Sequence, residues 1–71
     1  MKISEIRSMT DEELERQLLY AREELFNLRF RLATKQLDDT SGLRRARKTI
    51  ARIKTVMRER EIARMWESEL A

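Results

Sequence analysis

Leu14, Leu18, Ala21, Leu25, Leu28 and Leu32 recur at intervals of four, three, four, three and four residues. That spacing returns each side chain to one stripe of an α-helix, and kept unbroken it is a heptad seam. It predicts a helix over residues 11–37. Leu43, Ala46, Ile50, Ile53 and Met57 repeat at three, four, three and four, and predict a second helix over 43–66 with a matching seam. Between them, Asp38-Asp39-Thr40-Ser41-Gly42 gathers residues that favour turns, with Asp39, Thr40 or Ser41 as a cap for the helix that follows. A short connection between helices of near-equal length, each about 35–40 Å at 1.5 Å per residue, makes them antiparallel neighbours. Ile3 and Ile6 lie one turn apart and predict a short helix over 2–8. The reading is one all-α domain over residues 1–71, a long antiparallel two-helix hairpin with a short N-terminal helix and a tail at 67–71.

Two apolar rows fall outside the seams. Leu19, Phe26, Phe30, Ala33 and Leu37 form a second row on the first long helix, about a third of a turn from the first. This row either packs the N-terminal helix or the tail, or docks another macromolecule. Ile62, Met65, Trp66 and Leu70 align with the outer side of the second long helix and not with its seam. They read as a helical, partly frayed tail, or as a docking segment anchored by Trp66.

Charge changes the picture along the chain. Before Leu28 there are four basic side chains against seven acidic ones; from Leu28 onward there are twelve against six, leaving a net charge of +3. Asp11, Glu12 and Glu13 have the density of a metal or acid–base site. A capping box between Thr10 and Glu13, with the acids at the positive end of the helix dipole, explains each of them without one. The cations Arg44, Arg45, Arg47, Lys48, Arg52, Lys54 and Arg58 occupy the half-cylinder opposite the second seam, with no acid between the first and the last. A merely solvated helix face mixes signs for pairing one turn apart. Seven like charges repel unless an anion compensates, and nucleic-acid phosphate matches the bidentate geometry of arginine. Cys and His are absent, which removes thiol chemistry, disulfides, Cys/His metal sites and a histidine base. No apolar run approaches the roughly 20 residues that span a bilayer, and residues 1–5 have no signal-peptide core. The expectation is a soluble cytoplasmic protein with no cofactor, no small-molecule substrate and no membrane contact. It has a core small enough to gain stability from a fixed anionic partner.

Glu24-Leu25-Phe26-Asn27-Leu28-Arg29-Phe30, then Ala33-Thr34 and Gln36-Leu37, resembles the middle of the bacterial large-subunit ribosomal protein number twenty-nine family. Residues 44–61, centred on Arg47-Lys48-Thr49-Ile50-Ala51-Arg52-Ile53-Lys54-Thr55-Val56, resemble that family's second block. The resemblance implies a helical hairpin that is a structural constituent of the large ribosomal subunit, bound to rRNA near the polypeptide exit tunnel. It also implies neighbours, ribosomal protein twenty-three and factors that receive the nascent chain. Asn27, Arg29 and Gln36 match motif positions on the first long helix, and Arg47, Lys48, Arg52 and Lys54 match basic positions on the second. With Arg44, Arg45, Arg58, Arg31 and Lys35 they make up the expected rRNA-binding set. The family pattern has Gln where Arg31 stands and Gly where Lys35 stands. Both departures add positive charge, and loss of the glycine predicts that the first long helix runs on another turn. The resemblance ends near residue 61, so nothing carries over to Trp66.

Three other classes fit less well. A DNA-binding leucine zipper places its basic region before the heptads, whereas here it follows them across a turn. An adaptor pairing its first seam with another chain has a nearer partner in its own second seam. An enzyme needs a convergent nucleophile, base or pocket, and the pattern offers none.

Overall fold

The computed structural model describes residues 1–36 and 39–70. Leu37, Asp38 and Ala71 lie outside the described residues, and with them the last member of the second apolar row, part of the expected turn and the end of the expected tail. The described residues form three helices: α1 (Ile3–Arg7), α2 (Asp11–Ala33) and α3 (Ser41–Leu70). The long pair forms the expected hairpin and α1 packs chiefly on α3, within an envelope of 55 × 18 × 15 Å.

The start of α2 follows from its sequence. Thr10 Oγ1 accepts the Glu13 N–H at 3.2 Å, and Glu13 Oε2 accepts the Thr10 N–H at 3.4 Å. Two backbone donors left over by the first turn are thereby satisfied. Its end does not follow. The helix stops at Ala33 instead of running to 37, because Lys35 takes a φ of 61° and the chain turns out of the helix there. The Lys35 N–H donates to Leu32 O at 3.1 Å and the Gln36 N–H to Arg31 O at 2.8 Å, the paired closing bonds of a Schellman cap. The Thr34 hydroxyl adds a bond to Phe30 O at 3.1 Å. Lysine thus performs in the left-handed region what glycine does at little steric cost, and the predicted extra turn is absent.

Asp39 starts α3: its Oδ1 accepts the Ser41 N–H at 2.9 Å and its Oδ2 accepts the Ser41 hydroxyl at 2.8 Å. The first turn of α3 closes on α2 at Gly42, where an added Cβ would only reach van der Waals contact with the Leu28 methyl groups, at 3.4 and 3.6 Å. From there α3 runs unbroken through the segment expected as tail, to Leu70. No glycine or proline follows Gly42, and residues 57–70 are largely Met, Arg, Glu, Ala and Leu, which favour helix.

Ile6, Leu14, Ile53 and Val56 are the fully buried centre, with Ile3, Met9, Leu18 and Met57 packed around them. Each of the four contributes roughly 1.5–3 kcal/mol by leaving water. Both predicted seams face inward. Ala21, Leu43 and Ala46 are buried, whereas Leu25, Leu28, Leu32 and Ile50 are only half-buried. Val56 stands beside the predicted seam because it serves α1, a third helix that the two-helix pattern left out.

Candidate nucleic-acid interface

With the apolar stripe of α3 turned toward α1 and α2, its remaining circumference is fixed outward. Arg44, Arg45, Arg47, Lys48, Arg52, Lys54 and Arg58 are all exposed. By the helical period Arg47, Lys54 and Arg58 share one flank, Arg45, Lys48 and Arg52 the other, and Arg44 lies between them. Arg58 pairs with Glu61 at 3.1 Å, and Arg52 Nη1 donates to the Met1 carbonyl at 3.0 Å. The other five have no ion-pair partner among the described residues. On α2, Asn27, Arg29 and Arg31 are exposed, as are Lys35 and Gln36 just beyond it. Asn27 and Arg31 line one shallow groove with Tyr20 and Glu24, while Arg29 lies on the opposite flank. These α2 positions therefore do not form one surface, whereas the α3 positions wrap a continuous one.

The far end of the molecule carries Arg7, Arg60 and Arg64, for which the sequence pattern indicated no role, around Asp11, which it marked only as an acid at the start of α2. Arg60 Nη1 donates to Asp11 Oδ1 at 2.8 Å, and its Nη2 reaches Met9 O at 2.6 Å and Arg7 O at 3.1 Å. Arg64 also binds Asp11, through Oδ2, and Arg7 pairs with Glu59 at 3.1 Å. Hydrogen bonds from Arg60, then Arg64, hold the Asp11 carboxyl below its ordinary value, with their positive charges adding to the effect. Asp11 is therefore an ion-pair anchor joining the α1–α2 connection to α3. Its partners lie about fifty residues away, beyond any local pattern. Asp39 is lowered too, first by the backbone N–H of Ser41 and then by its hydroxyl. Among the described residues no cluster of three or more acidic side chains converges as a metal site.

The second apolar row stays in solvent. Leu19, Phe26 and Phe30 are 55%, 69% and 60% exposed, because α1 packs on α3 instead of on this face. Neither α1 nor the end of α3 covers it, so the packing alternative is set aside.

A long helical rod with one cationic side belongs to the class of helical-hairpin proteins. Residues 4–60 match the model of the Ribosomal L29 protein family, and the chain belongs to that family. It is similar to Large ribosomal subunit protein uL29 of Staphylococcus aureus strains JH9 and Mu3 and of Staphylococcus carnosus strain TM300. Each is 61% identical over 62 residues, covering 87% of this chain and 90% of the relative. Membership makes it a structural ribosomal protein that acts in translation in the cytoplasm.

Proposed function

We propose that this chain is a structural constituent of the large ribosomal subunit, bound to its rRNA near the polypeptide exit tunnel through the outer face of α3. The observation that carries this reading is the run from Arg44 to Arg58, seven exposed cations with no acid among them. Six of these have no ion-pair partner among the described residues, so an external anion relieves their mutual repulsion. Rigid helices on folded RNA read shape and phosphate more readily than base edges, and exposed guanidinium groups suit phosphate. Arg31 and Lys35 extend the positive surface toward the turn, and Asn27, Arg29 and Gln36 add polar contacts from α2. The exposed Leu19, Phe26 and Phe30 suit a protein neighbour, for which ribosomal protein twenty-three and nascent-chain factors at the tunnel are the candidates.

The test is co-sedimentation with large subunits over a salt series. Changing Arg47, Lys48, Arg52 and Lys54 together to Gln is expected to weaken association and flatten its salt dependence by about one slope unit per lost phosphate contact. Association that is unchanged in strength and salt slope overturns the reading.

A further inference from the structure

We propose that residues 61–70 of α3 are a docking helix that seats in an apolar groove on another protein, one with lysine or arginine along its rim. Arg60 and Arg64 tie α3 to the first residue of α2, and beyond Arg64 every described residue of α3 is exposed. The helix nevertheless continues for six residues past Arg64, about 9 Å at the helical rise. Ile62, Met65, Trp66 and Leu70 line its outer side at 41%, 55%, 59% and 83% exposure. Their spacing of three, one and four residues makes a single stripe, the pattern of a helix that lays anchors into a groove. The family match stops at Arg60, so this stripe adds to what residues 4–60 share with the family.

Charge selects the occupant. The outer side of α3 is purely basic from Arg44 to Arg58, but residues 61–70 carry Glu61, Glu67 and Glu69 against Arg64 alone; Glu61 is paired with Arg58 and Arg64 with Asp11, which leaves Glu67 and Glu69 without an ion-pair partner among the described residues. Phosphate would be repelled by this segment, which argues against RNA and against an anionic lipid surface. A second copy would bring the same acids together. The last turn of α3 has no basic residue, so Glu67 and Glu69 sit at the negative end of the helix dipole, an arrangement that disfavours the isolated helix. Cations on the rim of a partner groove relieve it. An apolar stripe flanked by acids therefore fits a protein groove edged with lysine or arginine.

The experiment places a photoreactive aromatic side chain at the stripe, Trp66→p-benzoylphenylalanine, in the full chain assembled into large subunits. Cross-linked peptides are then identified by mass spectrometry. The expected product joins position 66 to a protein segment with apolar residues beside lysine or arginine. Cross-linking to rRNA, to a second copy or to an acidic segment overturns the proposal, as does the absence of a product. Introducing Glu67→Lys and Glu69→Lys into the same chain is expected to cut the yield about fivefold. A yield that stays level or rises overturns it, since the facing surface would then not be cationic. The proposal is separable from the rRNA reading: the Glu67 and Glu69 changes should leave the salt slope of subunit association as it was. Conversely, failure of the Arg47, Lys48, Arg52 and Lys54 variant to weaken association would leave the cross-linking result standing.

Discussion

The two ends of the hairpin solve the same problem differently. At the α1 end, three helices converge and bury Ile6, Leu14, Ile53 and Val56. All four ion pairs among the described residues lie there as well, linking Arg7, Arg58, Arg60 and Arg64 to Glu59, Glu61 and Asp11. At the turn end only two helices meet, leaving Leu25, Leu28 and Leu32 half-buried. Around them stand Arg29, Arg31, Lys35, Arg44, Arg45, Arg47 and Lys48, which have no ion-pair partner among the described residues. The third helix makes the difference. Where α1 packs, the chain buries its apolar centre and pairs several of its own charges, and where α1 is absent more of both are left for a binding surface. Stability and recognition are thus divided along one rod.

The sharpest challenge to this division is a pair of truncations. Ile53→Ala should cost about 2–5 kcal/mol by opening a cavity in the three-helix centre, enough to leave the free chain largely unfolded. Leu28→Ala, in the half-buried zone, should cost clearly less. Urea midpoints of the two variants check this, and equal losses would erase the contrast between the ends. Next in size, Thr10→Ala removes one half of the capping box and should lower stability by about 1 kcal/mol, seen as a reduced melting temperature. Smaller still and opposite in sign, Lys35→Gly relieves the left-handed φ and should raise stability by up to about 1 kcal/mol. If this change destabilises, the cap at the turn end does not work as described.

The smallest effect concerns acid. Asp11 is more acidic in the folded chain than its ordinary value of 3.8, so it favours folding in full above that value. The contribution is lost as pH falls through the lower folded pKa. Wild type and Asp11→Asn should therefore differ in stability at neutral pH and converge as pH falls below the ordinary value of 3.8. Because Asp11 is exposed, the difference is modest and shrinks with salt. Curves that run parallel through this range would detach the ion pair from the stability of the α1 end.

How far the sequence disclosed all this depends on the range of the interaction involved. Seams, hairpin and capping box were legible because each rests on partners within one or two turns, or on a period repeated many times. The outward course of Arg44 to Arg58 followed from the second seam alone. Val56 was missed because the apolar count assumed two helices, although Ile3, Ile6 and Met9 needed a third surface to pack on. The Arg60–Asp11–Arg64 group was invisible because its partners come from opposite ends of the chain. The end of α2 misled in an instructive way. Glycine at a cap signals an exit from the helix, but its absence does not forbid one when Arg31, Leu32 and Phe30 carbonyls all find donors just beyond.

Arg60 also constrains how this architecture can vary. Its one planar group grips two carbonyls and a carboxylate from the stretch that leads α1 into α2, so the angle of that elbow is set by a residue on a different helix. A lysine, with a single ammonium, could not span the same three acceptors. Lengthening the elbow by even one residue would pull them out of reach together.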